Sequence, residues 1–131
     1  MSKKFLNLML VDGSRLLLNF SYITQITPTH GDDFTDGADV VFISMGESGV
    51  LQASVPASQV DSVLKSITNE ASPFVDLKVL SGQRIILNED YITHIAPTYG
   101  SDLADGADIS IWGSIVQIPA SSVKSLAKLV S

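Results

Sequence analysis

Six carboxylates recur at matched spacing in two loops: Asp33, Asp36 and Asp39 around Gly37, and Asp102, Asp105 and Asp108 around Gly106. Carboxylates every third residue beside a Gly could cage a Ca²⁺ ion, which takes about six to eight oxygen ligands. The EF-hand spacing is not met, because counting from Asp32 the third position is Phe34 and the twelfth is Ile43. The same residues also suit an ordinary loop, in which Asp-Gly turns the chain and Asp side chains accept from backbone N–H groups. Both readings stay open for these six residues. Two histidines, His30 and His94, are the only imidazoles available for acid–base or ligand chemistry. No G-x-S-x-G elbow, P-loop or G-x-G-x-x-G is present, and the chain has no Cys. Disulfides, thiolate metal sites and a Cys nucleophile are thereby excluded, and no cofactor is implied.

The carboxylates recur because a longer stretch recurs. Phe5–Ile43 aligns without a gap on Phe74–Trp112, with 18 of 39 positions identical. Average composition would give about two or three. The shared residues include Tyr22-Ile23-Thr24 with Tyr91-Ile92-Thr93, and Pro28-Thr29 with Pro97-Thr98. This is the signature of a module copied in tandem. The expected units are 1–69 and 70–131. His30 aligns with Tyr99, and His94 with Gln25, so neither His is repeated. A histidine base or metal pair is correspondingly disfavoured, and an enzyme is not expected.

Each unit must place its loop with strands. Phe74 to Leu80 alternates, with Val75, Leu77 and Val79 on one side and Asp76 and Lys78 on the other. By register Leu6, Leu8 and Leu10 face the core. Asp12-Gly13 and Ser81-Gly82 read as hairpin turns into Arg15–Asn19 and Arg84–Asn88. The Tyr-opened strands end at Pro28 and Pro97, since Pro cannot donate to a ladder. Fourth strands follow at Ala38–Met45 and Ala107–Trp112, and fifth strands at Val50–Val55 and Ile115–Ile118. Val60, Val63, Leu64 and Ile67 then make a helical stripe, as do Val123, Leu126, Ala127 and Val130. The expected fold is mainly β (α+β): two tandem five-stranded antiparallel units, each a small barrel or curled sheet closed by one helix, related by a pseudo-twofold axis.

The net charge of −6 and eight Lys+Arg offer no basic face for nucleic acid or for an anionic membrane surface. The opening segment suits a strand better than a signal peptide, and no apolar run approaches a transmembrane length. A cytoplasmic or virion location is the expectation. Arg15 and Arg84, Tyr22 and Tyr91, and the outward-facing Ile43 and Trp112 are candidates for a repeated protein-binding patch. Local pairing of the Arg residues and a second buried layer around Ile43 and Trp112 are the alternatives.

Over Leu10–Ile26 and Leu80–Ile95 the order strand, x-Gly turn, strand, Asn-x-x-x-Ile, strand resembles the small flagellar FlbD-like proteins. It is also similar, more distantly, to the LytTR domain. The resemblance implies a small β-rich module. The chain departs from both in its duplication, its longer Asp-rich loop and its shortage of basic residues, so no functional residue carries over. The expected role is non-enzymatic: a structural or interaction module, such as a virion accessory or decoration component. It would bind a protein partner or itself, as a homo-oligomer or within a larger assembly. A regulatory module using the Asp loops, with Ca²⁺, is the alternative.

Overall fold

The computed structural model describes residues 5–44, 46, 49–67, 72–112 and 114–129, the last three by backbone alone. The expected features at 1–4, 45, 47–48, 68–71, 113 and Val130 lie outside the described residues, as do the side chains of Ala127 and Lys128. The described residues are mainly β, with 49% of them in strands that form three sheets with antiparallel pairing.

Hairpin β1 (Phe5–Met9) and β2 (Arg15–Asn19) turns at Gly13, whose φ of 85° suits a residue without a Cβ. A 3₁₀ turn, Phe20–Tyr22, leads to β3 (Ile23–Pro28), then β4 (Ala38–Ser44), β5 (Gly49–Val55) and α1 (Ala57–Ile67). The second half runs through β6 (Phe74–Lys78), β7 (Arg84–Asn88), a 3₁₀ turn at Glu89–Tyr91, β8 (Ile92–Pro97), β9 (Ala107–Ile111) and β10 (Ser114–Ile118). It ends in a 3₁₀ helix, Ala120–Leu129, where an α-helix was expected. Val123 and Leu126 are three residues apart, a spacing that a three-residue turn satisfies as well as an α-turn. The Ser122 hydroxyl donates to the Lys78 carbonyl at 2.7 Å and ties this helix to β6.

The strands do not form one five-stranded sheet per half. One sheet has the order β5-β4-β3-β7-β6, another is β10-β9-β8, and β1-β2 stands as a separate pair. The 3₁₀ turn at Phe20–Tyr22 separates β2 from β3, so β3 keeps a free edge, and β7 occupies it with Gln25 opposite Leu87 and Ile26 opposite Ile86. Single backbone bonds, Val11 N to Ser54 O at 3.0 Å and Leu80 N to Gln117 O at 2.8 Å, link each hairpin to β5 or β10. Among the described residues, β2 pairs only with β1 and β8 only with β9, so each has one edge without a strand partner.

No barrel closes. The expected twofold relation also fails. A twofold axis would form β3·β7 and β2·β8 together or neither, since each contact on such an axis has its reciprocal. Among the described residues only β3·β7 forms.

Two cores result. The first gathers Leu6, Leu8, Ile23, Ile26, Val40, Val55 and the α1 residues Val60, Val63 and Ile67, together with Phe74 and Ile86 from beyond the helix. The second gathers Val75, Leu77, Val79, Leu87, Ile109, Ile118 and Leu126. Alternate residues of β6 and β7 therefore point into different cores, as strand pleating requires. The inward placement expected for Leu6, Leu8, Val75, Leu77 and Val79 is observed.

Candidate functional site

The Asp-rich loops are tied down by their own residues. Asp33 caps the short 3₁₀ turn Phe34–Asp36, accepting from Thr35 N at 2.9 Å and from the Thr35 hydroxyl. Those bonds, the hydroxyl first, hold its carboxyl below the ordinary range. Asp39, on β4, accepts from Thr29 Oγ1 at 2.9 Å and Ser54 Oγ at 2.8 Å. Asp102 accepts from Ala104 N at 2.9 Å, and Asp108 from Thr98 Oγ1 at 2.7 Å. Asp36 and Asp105 are exposed. No group of three or more His, Asp or Glu side chains converges among the described residues in a way that could hold a metal ion. Gly37 and Gly106 set the loop path. At φ 119° and 126°, a Cβ on either would lie 2.7 Å from Val55 O or 2.9 Å from Ile118 O.

His94 lies exposed on β8, with Nδ1 3.0 Å from Thr93 Oγ1 and Nε2 3.1 Å from Ser110 Oγ. A hydroxyl beside an imidazole is the geometry of nucleophile activation, but the orienting partner here is a second hydroxyl where a carboxylate is usual. His30 is exposed in the first loop, remote in sequence from that pair.

The Arg and Tyr candidates are not placed alike. Arg84 forms a bidentate pair with Asp76, its Nη2 2.7 Å from Oδ2, and its guanidinium carbon lies 5.1 Å from the centre of the Phe34 ring. The Asp76 bond, opposed by partial burial and aided by Asp33, raises the Arg84 pKa further above its usual value. Arg15 is exposed. The Tyr91 hydroxyl donates to the Ser21 carbonyl, and burial, then Tyr22 and Asp90, push its pKa up. Tyr22 and Ile43 are half-buried, and Trp112 is exposed at 55%.

Arg84, Tyr91 and Asn88 all work at the β3·β7 joint. Fully buried Asn88 donates from Nδ2 to Ile23 O at 2.8 Å, while its Oδ1 accepts from Asp90 N at 2.9 Å. Arg84 N donates to Asp32 O at 2.7 Å and Gln83 Nε2 to Gly31 O at 3.2 Å. Asn88 is not among the sequence-predicted site residues, although its identity with Asn19 is visible in the aligned segments.

Two apolar grooves also have no counterpart among the sequence-predicted sites. One, about 630 Å³, lies between the β6–β7 turn and β10 and is lined by Val79, Leu80, Ile85, Ile115 and Val116, with Ser81 and Gln117. Another, about 380 Å³, is lined by residues that include Leu10, Val11, Phe42 and Leu51. Leu80, Ile115, Val11, Val50 and Leu51 are large apolar residues left exposed. No helix among the described residues is long and apolar enough to cross a membrane. No protein-family model, no curated protein and no solved structure matches the chain.

Proposed function

We propose that the chain is a non-enzymatic assembly module, built by copying one β unit and presenting apolar strand surface to protein. The observation that carries this is the exposed set Leu80, Ile115 and Trp112 beside β10, together with Val11, Val50 and Leu51 beside β5. Leu80 and Ile115 share one groove and Val11 and Leu51 the other, and exposed apolar patches of this kind mark a contact with another protein. The grooves among them carry one carboxylate, Asp12, and no imidazole. Matching registers support a copied unit. Ile23↔Phe42 shifts to Gln25↔Val41 in β3·β4, and Ile92↔Ile111 shifts to His94↔Ser110 in β8·β9. A virion decoration subunit or a similar component of a repetitive assembly is the setting we favour. Light scattering over a concentration series tests the role. The expected mass exceeds the 14.0 kDa of one chain. A 14.0 kDa species throughout, with Trp112 equally quenchable by acrylamide at every concentration, refutes it.

A further inference from the structure

We propose that β8 of one copy and β2 of another form the joint that β3 and β7 form within the chain. This rests on the assembly role proposed above and names the partner as a second copy of the chain.

The joint inside the chain has two sides, and each has an uncovered equivalent 69 residues away. On the hairpin side, Ile86 and Phe74 are 0% and 5% exposed because they enter the first core. Their equivalents Leu17 and Phe5 are 62% and 51% exposed. On the receiving side, Ile23, Thr24 and Ile26 are fully buried, whereas Ile92 and Ile95 are half-buried and Thr93 is exposed. The first core is thus capped by a hairpin from the second half. The second core lacks such a cap, and the matching face of the β1-β2 hairpin, with Phe5 and Leu17, is exposed while the hairpin's other face enters the first core.

The polar groups match as well. Asn88 donates to Ile23 O, and Asn19 is free to do the same for Ile92 O of another copy. Asp33 stabilises the charge of Arg84 across the joint, and Arg15 with Asp102 would restore that opposition between copies. β2 also lacks the inward charge, bulge or Pro by which edge strands are normally kept from pairing. Ile26 opposite Ile86 becomes Ile95 opposite Leu17. The contact is head-to-tail and leaves one β8 and one β2 free, so it propagates into a ring or a filament.

The absence of Cys makes cross-linking unambiguous. Facing residues on paired strands lie about 4.5–5.5 Å apart at Cα, within disulfide reach. Leu17→Cys and Ile95→Cys chains, each checked for native circular dichroism, are oxidised separately and as a mixture. The expected result is a species of twice 14.0 kDa in the mixture only. Self-cross-linked dimers of either variant alone, or no cross-link, overturn the joint. So does a Leu17→Cys/Ile95→Cys double variant that closes only upon itself, which would place β2 and β8 together in one chain. Leu17→Lys, which keeps the monomer fold, is expected to reduce the wild-type mass to 14.0 kDa. A wild-type mass above 14.0 kDa without the 17–95 cross-link would leave the assembly role standing and remove only this joint.

Discussion

Asn88 Nδ2 lies 2.8 Å from the Ile23 carbonyl oxygen, a bond that spans 65 positions of sequence inside a region from which water is excluded. The same side chain caps the following 3₁₀ turn through Oδ1. Asn88→Ala should therefore cost about 2–3 kcal/mol, by losing a cap and leaving a buried carbonyl unpaired. Asn19→Ala, with only its cap bond to Ser21 N, should cost about 1 kcal/mol. Urea unfolding of both variants checks the difference, and equal costs would contradict the placement of Asn88.

Gly37 has φ 119° and faces the Val55 carbonyl, whereas Gly31, at φ 71°, has open space where a Cβ would go. Gly37→Ala should lose about 3 kcal/mol or more through strain and overlap together. Gly31→Ala should lose about 1 kcal/mol, from its dihedral alone. Denaturant midpoints at unchanged slope are the measurement.

Arg84 combines a half-exposed ion pair with a stacked ring. Asp76→Asn should cost no more than about 0.5 kcal/mol, because the pair is solvated. Arg84→Ala should cost about 1–2 kcal/mol more than that, since it uncovers Phe34. Raised salt should weaken the Asp76 contribution and leave the Phe34 contact intact.

Asp12 and Asp33 are both held below the ordinary carboxyl value of 3.8, chiefly by the hydroxyls of Ser14 and Thr35. A carboxyl depressed in the folded state stabilises it above the unfolded value, and that stabilisation fades as pH falls through the folded value. The thermal midpoint of the wild type should therefore exceed that of Asp12→Asn/Asp33→Asn near neutral pH, and the gap should shrink as acidification carries the pH below the ordinary carboxyl value and through the lowered folded-state one. A gap that widens on acidification would reverse the sign and refute the assignment.

Trp112→Ala should leave monomer stability within about 0.5 kcal/mol, as expected for an exposed side chain. If the apolar surface beside β10 binds protein, the same change should weaken assembly, read by sedimentation at matched concentrations.

Strand positions were largely legible in the sequence, because alternation in Phe74–Lys78 settles which side faces inward, and aligning that segment with Phe5–Met9 transfers the answer. Strand partners were less so. Ile86 and Leu17 occupy equivalent positions with similar side chains, yet only one is covered. What covers it is long-range pairing, which local pattern does not encode. The expected twofold axis failed for that reason: similar halves need not meet through equivalent surfaces. The Asp loops were legible as recurring carboxylates, but their partners Thr29, Ser54 and Thr98 became evident only once the strands were placed.

The position of Phe74 and Ile86 inside the first core also orders events in time. During synthesis, residues 5–67 can collapse but must wait for the chain through Asn88 before that core is sealed. Ile23 and Ile26 stay within reach of solvent and of neighbouring nascent chains during that interval, when mispairing with the wrong hairpin competes with correct closure.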